Sequence, residues 1–115
     1  MIQYMMIKKG DGYMKAFLSQ PMSGRVWSDV LEERESMKAY IKSIFGDEVE
    51  IIDSIFEQIP GTNPLSYLGR AIELMAQADI VVVAPNWSNS RGCRIEVECA
   101  LEYDVNHIVF MKDAD

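Results

Sequence analysis

ADIVVVAPNWSNSRGCRIEVECA, Ala78 to Ala100, holds three patterns in succession. Ile80 to Ala84 is apolar at every position and mostly β-branched, which suits a strand covered on both faces, as in a parallel sheet. Pro85 to Ser90 is made of turn formers. From Gly92 or Cys93 the spacing becomes helical, with Cys93, Val97, Ala100 and Leu101 on one face and Glu96 placed off it. The stretch therefore reads as strand, loop, helix. Two carboxylates, Glu96 and Glu98, stand at the start of that helix.

The same unit recurs on either side. Lys15 to Ser19 is a short apolar strand, and the loop Ser19–Arg25 carries Pro, Ser and Gly. Trp27, Val30, Leu31, Met37, Ile41, Ile44 and Phe45 then repeat at helical spacing, predicting a helix over 25–45 that Gly46 stops. Val49 to Asp53 reads as a second strand. Asn63 caps a helix with Pro64 at its first position and Leu65, Leu68, Ile72 and Met75 as its stripe. His107 to Met111 is a fourth strand, in which His107 is read as structural. Residues 1–13 form an N-terminal extension, either an extra edge strand or a poorly ordered tail. Residues 14–115 form one α/β domain.

Alternating strands and helices imply a parallel sheet with right-handed crossovers. The expected architecture is a flavodoxin-like (Rossmann-like) three-layer sandwich with strand order 2-1-3-4. Ligands of such sheets bind beyond the carboxyl ends of the strands where the order reverses, here between strands one and three. The two loops at that point are 19–25 and 85–92. Each contains Ser, Gly and Arg and runs into a helix N-terminus, which suits a phosphate or carboxylate. Arginine sharpens this: of five in the chain, Arg25, Arg70, Arg91 and Arg94 lie in or beside these segments.

Composition sets bounds. At 115 residues with 49% apolar content the chain can bury a proper core. A net charge of −7 argues against a DNA or RNA polymer as partner. No apolar run is long enough to span a bilayer, so no membrane is expected. Cys93 and Cys99 would lie about 9 Å apart on one helix, too far for a disulfide. Reduced thiols without a signal-peptide pattern point to the cytoplasm. With His107 as the lone histidine, neither a His-based metal site nor a Ser-His-Asp triad is expected, and no cofactor is called for.

Two segments, KAFLSQPMSGR (15–25) and SRGCRIE (90–96) at the centre of 78–100, resemble the nucleoside 2-deoxyribosyltransferase-like superfamily. In that family a Gly after strand three precedes a glutamate by four residues, as Gly92 precedes Glu96. The resemblance covers roughly Met14 to Met111. It implies that Glu96 attacks C1′ of a deoxyribonucleoside or deoxyribonucleotide and expels the base, as in a retaining glycosidase. A branch of the superfamily hydrolyses deoxynucleoside 5′-monophosphates, using a Ser six residues before the glutamate; Ser90 has that position. The resemblance thus implies Glu96 as catalytic residue. Ser19, Gln20, Ser23, Gly24, Arg25, Trp87, Ser90, Arg91 and Gly92 are the substrate-binding candidates. Trp87 either stacks on a base or caps the core, and Ser90 is also a plain N-cap. The expected partner is a small nucleoside or nucleotide. Related proteins form dimers or larger oligomers, and the end of the chain soon after strand four is compatible with a homodimer or higher homo-oligomer. The family also places an acid in helix two, where this chain has Gly69-Arg70-Ala71, so no residue is assigned to protonate the leaving base. The alternative is a non-catalytic nucleotide-binding or sensing domain on the same fold.

Overall fold

The structure, a computed structural model, describes residues 13–55 and 62–111. Residues 1–12, where the N-terminal extension or extra edge strand was expected, lie outside the described residues, as do 56–61 and 112–115. In chain order the elements are β1 (Lys15–Ser19), α1 (Trp27–Phe45), β2 (Glu50–Ile51), α2 (Pro64–Met75), β3 (Ile80–Val83), a single 3-10 turn (Trp87–Asn89), α3 (Arg91–Glu102) and β4 (His107–Val109). The four strands are all parallel in the order β2-β1-β3-β4, so the flavodoxin-like arrangement expected from the sequence is present.

Strand alternation sorts the core into two halves. Ala16, Leu18, Ile80, Val82, Ala84 and Phe110 face α1, where Met37 and Ile41 meet them. Phe17, Val81 and Val83 face the other way, against Ala71 and Met75 of α2 and Ala100 of α3. Every residue of β3 is buried, as its unbroken apolar run requires. Burying each of these side chains is worth roughly 1.5–3 kcal/mol, which makes β3 the centre of the domain. Ser19 pairs with Val83 in the parallel register, so the β1–β3 pairing ends where the two loops begin.

Several boundaries shift. Helix α1 starts at Trp27 rather than Arg25, because Met22–Arg25 closes a turn in which the Arg25 N–H donates to Met22 O at 3.2 Å. Gly24 sits at the third position of that turn with φ of +76°, the conformation a type II turn reserves for glycine. Strand β2 is only two residues long. In α1, Trp27 and Leu31 are exposed while Val30, Arg34, Met37 and Ile41 are buried. Leu65 of α2 is exposed as well. Asn63 caps α2 as expected, accepting from the Ser66 N–H at 2.9 Å. His107 donates from Nδ1–H to Val105 O at 3.0 Å, a local contact at the start of β4.

Candidate functional site

The site builds upward from the carboxyl end of β1. Ser19 and Gln20 are consecutive, so their side chains leave the strand on opposite faces. Ser19 turns toward α3, where its hydroxyl donates to Glu96 Oε1 at 2.6 Å. Gln20 turns toward α1, where its Nε2 donates to Val30 O at 2.8 Å and to Glu33 Oε1 at 2.9 Å. Ser19, Gln20 and Glu96 are all buried.

Glu96 is not off the apolar face as the spacing was read. It lies on the buried side of α3, together with Cys93 and Ala100. Helix geometry explains this: at 100° per residue Glu96 stands about 60° from Cys93, and Leu101 about 80° on the other side. The stripe therefore tilts toward Glu96, and Leu101 is exposed instead. Burial pushes the Glu96 carboxyl above its ordinary value, and the Ser19 hydrogen bond pulls part of the way back. Exposed Glu98 is not part of the arrangement.

That shift carries a stability consequence. A buried carboxyl with a raised pKa binds its proton more readily folded than unfolded. Its contribution is therefore fully present below the unfolded value near 4.5 and is lost as pH rises through the folded value. Glu96→Gln should accordingly melt at a higher temperature than the wild type at neutral pH, and the gap should close in acid. Thermal melts across pH read this directly; an equal or lower melting temperature at pH 7 would contradict it.

The second loop is organised by Ser90. Its hydroxyl accepts from the Cys93 N–H at 3.3 Å and caps α3. The Arg91 and Gly92 N–H groups of the first turn have no acceptor among the described residues, so they and the helix dipole offer a place for an anion. Gly92 has no positive φ, and a Cβ there would lie 4.0 Å from Ser90 Oγ. The backbone thus does not require glycine, and its absence of a side chain leaves open space beside the serine hydroxyl. Ser90→Ala should cost about 1 kcal/mol through the lost cap. In a domain of this size that lowers Tm by about 4–8 °C, measurable by calorimetry; an unchanged Tm would show that the cap is energetically idle.

Of the remaining candidates, Arg25 is half-buried. Its Nη1 donates to Pro21 O at 2.9 Å and to Glu33 Oε1 at 2.8 Å. Ser23 and Gly24 are exposed on the turn, and Arg91 is exposed on α3. No hydrogen bond or ion pair among the described residues ties the Ser23 or Arg91 side chain to the rest of the site. Trp87 is half-buried and packs on the core between the sheet and α2/α3. Arg94 donates to Ser88 O at 2.8 Å and holds the 3-10 turn against α3.

Three residues beside the site are not among the candidates the sequence offers for it. Cys93 sits between the Ser19 and Ser90 hydroxyls, near Glu96 and Glu33. Burial pushes its thiol up, the Ser19 and Ser90 hydroxyls pull part of the way back, and the Glu96 and Glu33 carboxylates add to the rise. Glu33 gathers Gln20 and Arg25. Arg34, the fifth arginine, is 3% exposed. It donates through Nη1 to Gln20 Oε1 at 3.3 Å and through Nη2 to Ser54 Oγ at 3.0 Å. Burial pushes its pKa down, with Asp53 and Glu35 opposing. A signal for it did exist: Val30, Arg34, Met37 and Ile41 follow the helical period, so Arg34 occupies a core position. Among the described residues no group of three His, Cys, Asp or Glu side chains could hold a metal ion. A shallow recess of about 510 Å³, lined by Arg70, Glu73, Leu74, Ala76 and Gln77, lies at the amino end of the sheet, away from Glu96.

A parallel α/β domain with a buried carboxylate at the point where its strand order reverses is the class this fold and site define. More particularly, the chain belongs to the DUF4406 family, described as a domain of unknown function, whose family model matches residues 14–110. Neither the curated proteins nor the solved structures yielded a match. None of the helices among the described residues is long and apolar enough to cross a membrane.

Proposed function

We propose that this protein cleaves or exchanges the N-glycosidic bond of a deoxyribonucleotide or deoxyribonucleoside, with Glu96 as nucleophile. The observation that carries the reading is the buried Ser19–Glu96 hydrogen bond at the switch point of the sheet. The resemblance to the nucleoside 2-deoxyribosyltransferase-like superfamily supports it. So does the open space at Gly92 beside the Ser90 hydroxyl.

Ser19 holds one carboxylate oxygen of Glu96, and the other oxygen is the attacking atom. It forms a bond to C1′ while the C1′–N bond breaks and its electron pair leaves with the base. Gly69-Arg70-Ala71 of α2 offers no acid, so the departing base takes its proton from water. A water molecule or a second base then attacks C1′, and the carboxylate is released. Burial serves this sequence, because positive charge develops at C1′ and a desolvated carboxylate stabilises it more strongly than a hydrated one. The phosphate of a 5′-monophosphate would be held by the Arg91 and Gly92 N–H groups, Ser90, Ser23 and the free edge of Arg25.

The absence of an acid at Gly69-Arg70-Ala71 favours a second reading, a nucleotide-binding or sensing domain without turnover. A cytoplasmic location and assembly as a homodimer or higher oligomer complete the proposal. Val26, Trp27 and Leu31, exposed where the 19–25 loop enters α1, are the surface such assembly would use. Incubation with a panel of deoxynucleosides and their 5′-monophosphates, followed by chromatography of free base, separates the readings. Base release is expected. A nucleotide-induced rise in Tm without release leaves the binding domain. Neither release nor a rise with any compound overturns both.

A further inference from the structure

Gln20 spends its side chain inside the protein. Its Nε2 donates to Val30 O at 2.8 Å and to Glu33 Oε1 at 2.9 Å, which uses both amide hydrogens. Its Oε1 accepts from Arg34 Nη1 at 3.3 Å. The polarity is forced. A guanidinium only donates and a carboxylate only accepts, so the amide must turn its oxygen to Arg34 and its NH₂ to Glu33. Arg34 is anchored in turn on Ser54 Oγ at 3.0 Å, and Gln20, Arg34 and Ser54 are all buried. A carboxylate at position 20 could serve the guanidinium but not Glu33; a carboxamide serves both.

This chain of contacts ends on Arg25. Glu33 Oε1, already tied to Gln20, also accepts from Arg25 Nη1 at 2.8 Å, and Pro21 O accepts from the same nitrogen at 2.9 Å. Surface ion pairs contribute little where both side chains wander; here the carboxylate is fastened to a buried amide. Arg25 Nε and Nη2 have no partner among the described residues. We propose that Gln20 and Glu33 are positioning residues, which touch no substrate and hold Arg25 with its Nε–Nη2 edge free for a 5′-phosphate. The inference rests on the nucleotide reading above, and it moves Gln20 from the substrate-binding residues to their support. The gain is entropic. A loose arginine must be ordered when the phosphate arrives, whereas one already held by Glu33 and Pro21 needs little further ordering. Ordering one long side chain weakens binding by about two- to tenfold. Charge acts the other way, because Glu33 also lowers the positive potential at Arg25.

The test therefore compares two variants that both lack the Glu33 charge. Glu33→Gln keeps an oxygen for Gln20 and Arg25, and Glu33→Ala does not. The full chain is titrated by calorimetry with the four natural deoxynucleoside 5′-monophosphates and the matching deoxynucleosides. Glu33→Ala should bind the monophosphates about two- to tenfold more weakly than Glu33→Gln does, with no difference toward the nucleosides. With Arg25→Ala added to both, the difference should disappear, since a residue that acts through Arg25 has nothing left to act on. Gln20→Met keeps the length of the side chain and loses the amide. It should weaken the monophosphates to a similar degree, and again only while Arg25 is present; if it does not fold, the Glu33 pair still decides. Equal monophosphate affinities in that pair, an equal loss for the nucleosides, or a difference that persists without Arg25 overturns the inference and leaves the nucleotide reading standing. Binding of nucleosides alone by the wild type overturns it too and leaves a nucleoside as substrate. If the wild type binds neither class, the reading above fails and takes this inference with it.

Discussion

Replacing Glu96 by Gln should lower base release by at least about a thousandfold while leaving the domain folded. A thousandfold corresponds to about 4 kcal/mol of lost transition-state stabilisation. The size follows from the role: without a nucleophilic carboxylate the covalent path closes, and only slow direct attack by water remains. The fold should survive because Gln is close to isosteric and its amide oxygen can still accept from the Ser19 hydroxyl. Affinity for the intact substrate should change little, since the groups assigned to the phosphate lie on other residues. The measurement is initial-rate chromatography of free base, with circular dichroism confirming structure. Full turnover by the variant would end the covalent mechanism, and a collapsed fold would show that the ionised or protonated acid is needed for packing.

The largest expected effect on stability comes from a residue with no part in the bond-breaking step. Arg34→Ala should destabilise the domain by about 2–4 kcal/mol. Gln20 Oε1 and Ser54 Oγ each lose a donor while buried, at about 1–3 kcal/mol for an unsatisfied polar group. Truncation also leaves a cavity between α1 and the sheet. Relief from burying a guanidinium offsets part of the sum. For a domain of this size the result is a Tm lower by more than about 10 °C. Arg34→Lys should rescue little, because one ammonium cannot present the fork that reaches both acceptors. Urea unfolding at neutral pH gives the number; a loss under about 1 kcal/mol would mean the network is not stabilising.

The fold was legible wherever one physical requirement acted alone. Ile80–Val83 is apolar at every position because both faces are covered, and this alone marked it as the central strand. Asn63 and Ser90 announced their helices because a cap needs a short polar acceptor. The parallel order then followed from alternation of strand and helix, and it located Ser19 and Glu96 at one end of the sheet. What escaped was polar chemistry on apolar stripes. Glu96 and Arg34 both sit where the period demands a hydrophobic residue, and a reading that assigns charges to the outer face misplaces them. Their burial becomes intelligible only once their partners are known. Ser19 is distant from Glu96 along the chain, and Ser54 from Arg34, so neither pairing is visible locally. The short β2 is the other omission: Val49 and Ile52 are buried, yet only Glu50 and Ile51 join the ladder.

The opposed directions of Ser19 and Gln20 restrict how this sequence can vary in length. One additional residue within Lys15–Leu18, or one fewer, would reverse every side chain beyond it. The hydroxyl would then be delivered to α1 and the amide to α3, with Phe17 and Leu18 exchanging faces as well. No compensating point substitution repairs all four positions together. Insertions and deletions in this protein must therefore accumulate outside β1, however freely its individual residues drift.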